Sequence, residues 1–140
     1  MYSAGDIITL AKTLWGEARG EGQQGMAAVA WVVRNRAAVA AKIHYPQFGD
    51  GTIKGTCLVP WQFSSWNPGN YRQSVEAVTL DVQSYQVCMM VALRVLFDEI
   101  PDPTENAKFY WADTIPTPRW AIGKKSIKIG HQFFLPQVLV

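Results

Sequence analysis

The chain is poor in the residues that staple small folds or hold metals. Its 140 residues include two cysteines, Cys57 and Cys88, and two histidines, His44 and His131. One cysteine pair is no disulfide framework, and these four residues lack the close spacings of a structural zinc site. The cysteines read as free or buried thiols, and neither a metal nor a cofactor is expected. Long apolar runs are missing too. The longest, Val87–Phe97, is interrupted by Arg94 and falls short of the ~18 residues of a spanning helix, so no integral membrane segment is expected. Charged residues make up 17% against a usual ~25%, and the net charge is only +2, which disfavours a dedicated nucleic-acid binder. No basic, apolar leader opens the chain, where Asp6 follows Met1-Tyr2-Ser3, so no signal peptide is expected. Acids are absent after Asp113, while Arg119, Lys124, Lys125 and Lys128 follow. That predicts a basic surface near the C-terminal end.

Apolar and aromatic residues are plentiful. The hydrophobic fraction is 49%, with six Trp, six Phe and five Tyr, which excludes a disordered segment. The length suits one domain over 1–140. Ser3 followed by Asp6 reads as a helix start. Ile7, Ile8, Ala11, Leu14, Trp15 and Ala18 recur at helical spacing, with an end near Glu17 to Arg19. A second helix is predicted from Gln23 or Gly25 to Val39. Prolines and glycines then break every pattern from His44 to Asn70, a loop region with room for a short hairpin. A short helix is expected near Tyr71 to Leu80. Another, Ser84 to Glu99, is apolar nearly all round and reads as the central buried helix. Strand-like fragments lie at Lys108 to Trp111 and Ile127 to Phe134. The fold class is therefore mainly α (α+β), with a small irregular β region.

No G-x-S-x-G, H-E-x-x-H, Walker loop or G-x-G-x-x-G is present, so chemistry falls to carboxylates, hydroxyls and aromatics. Glu17 is the informative acid. On a helical wheel it falls beside Leu10 and Leu14, at the edge of the apolar stripe. A carboxyl there loses hydration, which favours its neutral, proton-donating form, as in a sugar-cleaving general acid. Glu21, one turn on, is a like-charged neighbour. The competing reading pairs Glu17 and Glu21 with Arg19 or Lys12 on a wet helix end. Trp61-Gln62-Phe63-Ser64-Ser65-Trp66-Asn67 alternates flat apolar faces with amides and hydroxyls, a mixture suited to carbohydrate. Phe109-Tyr110-Trp111 is a similar cluster. Either could equally tuck its rings into the core.

Several blocks taken together resemble the spore cortex-lytic and cell-wall hydrolase catalytic domains. They are Leu14-Trp15-Gly16-Glu17-Ala18-Arg19-Gly20-Glu21-Gly22, then Gly25-Met26-Ala27-Ala28-Val29-Ala30, then Val33-x-Asn35-Arg36. Gln62-Phe63-Ser64 with Trp66-Asn67, Asn106-Ala107-x-Phe109-Tyr110, Pro118-x-Trp120 and Ile129-Gly130-x-x-Phe133 follow in the same order. The resemblance spans roughly Asp6 to Phe134. It implies a lysozyme-like fold acting on peptidoglycan, with Glu17 as the catalytic acid, Ser64 lining the cleft and Tyr110 beside it. His131 follows Gly130 directly, a departure from the family's spacing. Without a signal or wall-binding domain in view, a phage-type endolysin is the form expected, made in a host cytoplasm and reaching the wall after release.

Glycosidases usually work with two carboxylates, and here one is well placed. The expected reaction is therefore a lytic transglycosylation, with Glu17 as both acid and base. Glu21, Gln62, Phe63, Ser64, Tyr110 and Trp111 are the expected substrate contacts, and Trp66 an anchor for its loop. Asp50 or Asp113 could serve a hydrolytic muramidase or glucosaminidase instead. A non-catalytic wall-binding virion component is a further alternative, as is a small nucleic-acid binder using Arg34 and Arg36. The expected partners are glycan strands and the anionic envelope, met by a monomer, with no nucleic acid.

Overall fold

Ser3 starts the first helix as its spacing from Asp6 predicts. Its hydroxyl accepts from the Asp6 N–H at 3.0 Å, and the Asp6 carboxylate accepts from the Ser3 N–H at 2.9 Å, a reciprocal capping box. In the computed structural model, residues 1–136 are described; the last four of the 1–140 span lie outside them. The helices are α1 (Ala4–Ala18), α2 (Gly22–Ala40), α3 (Ile53–Cys57), α4 (Asn70–Ala77) and α5 (Gln83–Leu96). The strands are β1 (Phe109–Ala112), β2 (Ile127–Ile129) and β3 (Gln132–Leu135). They form one antiparallel sheet in the order β1-β3-β2.

The helix enclosed by the core is α2, not α5 as the sequence suggested. From Gly25 to Val33 every residue of α2 but Trp31 is buried. The reason is size: Ala27, Ala28 and Ala30 let neighbouring helices approach closely, and α1 and α5 both pack against α2. On α5 the buried residues are Tyr85, Cys88, Val91, Ala92, Val95 and Leu96, one helical stripe. Met90, apolar by type, is 39% exposed on the other face.

The 44–70 region holds no strand. It folds into a 3-10 turn at Pro46–Phe48, the short helix α3 and a second 3-10 turn at Ser64–Trp66. Helix α3 is capped by Thr52, whose hydroxyl accepts from the Gly55 N–H at 2.9 Å. The Lys54 N–H donates to Asp6 at 2.9 Å, which docks α3 on the start of α1. The fragment expected from Ile127 to Phe134 is two strands around a Gly130-His131 turn. Gly130 sits at φ +62, where glycine is at ease.

Candidate active site

Three donors from two distant segments converge on the carboxylate of Glu17. Glu17 lies in the last turn of α1, half-buried. Its Oε2 accepts from the Ser65 backbone N–H at 3.0 Å and from the Ser64 hydroxyl at 3.3 Å. Its Oε1 accepts from the Tyr110 hydroxyl at 2.9 Å. No cation pairs with it among the described residues. Arg19 turns away to the Trp15 carbonyl and the Tyr71 hydroxyl, both at 2.7 Å, and Lys12 reaches the Glu76 carbonyl. The wet helix-end reading of Glu17 is therefore corrected.

Each donor is held by packing. The Ser64–Trp66 turn presses on α1 at Gly16, where an added Cβ would sit 2.5 Å from the Ser65 Cβ. Only a residue without a side chain lets the Ser65 N–H come this close. Trp66 pins the same turn, its indole N–H donating to the Thr13 hydroxyl at 2.9 Å, the anchoring role expected of it. Tyr110 stacks on Phe134 across β1 and β3, with centroids 5.5 Å apart. Burial, then the Glu17 charge, pushes the Tyr110 phenol well above its ordinary range. Tyr110 thus stays protonated and donates.

Other expected site residues go elsewhere. Alternation along β1 sends Trp111 to the opposite face from Tyr110, where it is 7% exposed and stacked on Phe133. Phe63 is 1% exposed in the main core. Neither offers a face to a sugar, and both assignments as substrate contacts are corrected. The exposed ring of that loop is Trp61, 73% exposed and held at φ +67. Gln62 points its amide oxygen at Arg36, 3.4 Å away. Glu21 holds the β2–β3 turn: its carboxylate accepts from the His131 N–H at 2.7 Å, and the His131 ring lies 3.4 Å away. That is a structural tie, and it gives His131 a neighbour in Glu21.

The remaining acids are engaged at a distance. Asp50 accepts from the Thr52 N–H and hydroxyl, and these bonds hold its carboxyl below the usual range although its slight burial opposes them. Asp113 pairs with Lys128 at 3.4 Å. Among the described residues no second carboxylate shares a donor with Glu17, and no cluster of His, Cys, Asp and Glu could hold a metal ion. Both cysteines are free and buried; burial raises Cys57 to about 12 and Cys88 to about 11, so neither is a ready nucleophile.

Glu17 was legible from its helical position, and Ser64 and Tyr110 through the family resemblance. The Ser65 N–H was not, because a main-chain donor leaves no mark on residue type. Gly16, inside an otherwise helical pattern, was the available signal for a close approach there.

The chain as a whole is similar to known proteins. A family model described as cell wall hydrolase matches residues 20–135, beginning just past Glu17. A spore cortex-lytic enzyme of Bacillus cereus is 31% identical over 136 residues, covering 95% of this chain and 45% of that protein. One of Bacillus subtilis is 30% identical, with 95% and 38% covered. The chain thus spans less than half the length of these curated relatives. Among solved structures, the catalytic domain of the germination-specific lytic transglycosylase SleB from Bacillus anthracis is similar, with a TM-score of 0.71 and 27% identity over 96% of each chain. The catalytic domain of Bacillus cereus SleB gives 0.68 and 26%, over 96% of this chain and 92% of that one.

Proposed function

The chain belongs to the cell wall hydrolase family, and from that premise we propose that it cuts peptidoglycan glycan strands between N-acetylmuramic acid and N-acetylglucosamine as a lytic transglycosylase, with Glu17 as acid and then base. The observation that carries this reading is the isolated Glu17 carboxylate. Three neutral donors hold it, and no second carboxylate stands by it among the described residues.

A lone carboxylate must do both proton transfers. Glu17 protonates the glycosidic oxygen as the bond from that oxygen to C1 of the muramic acid breaks. The leaving sugar departs with that proton. The carboxylate then takes the proton of the 6-hydroxyl while its oxygen closes on C1. One C–O bond breaks and one forms, no water is consumed, and Glu17 ends protonated as it began. The Tyr110 hydroxyl, Ser64 hydroxyl and Ser65 N–H are already aimed at the carboxylate that exists between the two transfers, so they stabilise it without reorganising. The exposed indole of Trp61 suits stacking on the C–H face of a sugar ring.

The polymer lies outside the cytoplasmic membrane, and we place the site of action there. No helix of the described residues is long and apolar enough to cross a membrane. Of the four cations of the basic stretch, Lys125 faces Glu105 and Lys128 faces Asp113, so attraction to the anionic envelope is proposed to rest on Arg119 and Lys124.

The test is the mass of the soluble fragments released from purified peptidoglycan. Anhydro-muramic ends, one water lighter than hydrolytic ends, are expected. Reducing muramic or glucosamine ends would assign a hydrolase instead.

A further inference from the structure

Among the described residues, a buried cation next to the Glu17 site has no carboxylate partner. Arg36, on the α2 face turned toward β1, is 5% exposed. It takes part in none of the ion pairs among the described residues. Its guanidinium carbon lies 5.3 Å from the ring centre of Phe48, 5.1 Å from Phe63 and 5.3 Å from Phe109. Burying a guanidinium without a counter-ion is unfavourable, and burial lowers its pKa. Packing alone would be met better by a neutral side chain of that size, so the charge and the fork of donors need a reason.

The bonds supply one. Arg36 Nε donates to the Lys108 carbonyl at 2.6 Å, and Nη1 donates toward the Gln62 amide oxygen at 3.4 Å. Lys108 immediately precedes β1, two residues before Tyr110. Gln62 lies two residues before Ser64. One side chain therefore spans the two segments whose donors meet on Glu17. Asn35 continues the clamp: its Nδ2 donates to the Ala107 carbonyl and to Asp102, each at 3.0 Å. Asp102 in turn accepts from the Thr104 and Asn106 N–H groups at 2.8 and 3.1 Å. Two adjacent residues of α2 thus hold two adjacent carbonyls at the entry to β1.

We propose that Arg36 is a positioning residue for the Glu17 site, its buried guanidinium fixing the Gln62–Ser65 segment and the β1 entry at the separation that lets Ser64, Ser65 and Tyr110 reach one carboxylate. The inference rests on the reading of Glu17 as the acid. A planar fork can hold two acceptors at a set angle, which a lysine ammonium on a flexible stem does not reproduce. The Gln62 amide is then a strut of the site, where the sequence suggested a substrate contact.

The test uses the whole chain on purified peptidoglycan, with Arg36→Lys, Gln62→Met and Glu17→Gln in parallel, at a temperature where circular dichroism finds each variant folded. Arg36→Lys is expected to lower kcat at least tenfold with KM within about twofold of the parent. Gln62→Met is expected to lower kcat several-fold, again with KM unchanged. A folded Arg36→Lys with parental kcat overturns the proposal, as does a Gln62→Met whose defect lies in KM. If Arg36→Lys does not fold, Gln62→Met decides. Should Glu17→Gln retain activity, the catalytic reading fails. An inactive Glu17→Gln beside a fully active Arg36→Lys removes the positioning role alone.

Discussion

At the scale of the residue, the Tyr110 hydroxyl is the one donor to Oε1 of Glu17 among the described residues. Its ring is fixed independently, by stacking on Phe134. Tyr110→Phe should keep the stack and lose only the bond. A hydrogen bond to a charged group is worth about 1.5–3 kcal/mol, which corresponds to a fall in kcat of roughly 10- to 160-fold. Steady-state kinetics beside a thermal melt checks this, with Tm close to the parent's. A melt that drops sharply while the folded enzyme stays active would make Tyr110 a packing residue. Glu17 was legible from its place at the edge of the apolar stripe, and Tyr110 through the family resemblance alone. Phe63 and Trp111 were misread as substrate contacts because an aromatic looks the same in sequence whether it faces a ligand or the core. Strand alternation decides for Trp111 and the main core for Phe63.

At the scale of the element, the meeting of α1 with the Ser64–Trp66 turn is set by Gly16. A Cβ there would fall 2.5 Å from the Ser65 Cβ and 2.8 Å from its hydroxyl oxygen. Gly16→Ala gains roughly 1 kcal/mol of helix propensity, but overpacking costs about 1–3 kcal/mol, and relief requires the turn to retreat from Glu17. The expected outcome is a net stability loss of at most about 2 kcal/mol by denaturant titration, with most of the activity gone. Gly20→Ala, where nothing lies within 4 Å, is the control and should leave both unchanged. The long helices were readable because α1 repeats at helical spacing from a capping box and α2 carries an unbroken apolar run. Helix α3 was not, since five residues hold too little periodicity, although Asp50 and Thr52 marked its start. The β2–β3 hairpin was read as one fragment because apolar residues flank the Gly130-His131 turn on both sides. The choice of α5 as the central helix failed because apolar character was weighed without side-chain size.

At the scale of the whole molecule, charge and titration follow burial. The basic C-terminal stretch is offset in part: Glu105 and Asp113, outside it in the chain, lie beside Lys125 and Lys128, and no acid pairs with Arg119 or Lys124 among the described residues. Absence of acids in a stretch of sequence says nothing about what packs over it. The buried thiols set an alkaline limit. An unfolded thiol ionises near its ordinary value of 9.0, whereas folded Cys57 keeps its proton to about 12 and Cys88 to about 11. Between those values the native state binds more protons than the unfolded state, so stability falls as pH rises through the window. Denaturant titrations from pH 8 to 11 should show that decline beginning near pH 9, and Cys57→Ala should reduce the slope. A slope unchanged in Cys57→Ala would place the alkaline sensitivity in other groups.

The central claim is that the Glu17 carboxyl performs the proton transfers, and Glu17→Gln tests it most directly. Glutamine keeps the shape and cannot donate a carboxylic proton. General acid–base catalysis is worth about 10²- to 10⁴-fold. Release of soluble fragments from purified peptidoglycan by the folded Glu17→Gln protein should therefore fall by at least ~100-fold, with a melting curve like the parent's. Fragment release within a few-fold of the parent, from a protein shown to be folded, would contradict the account.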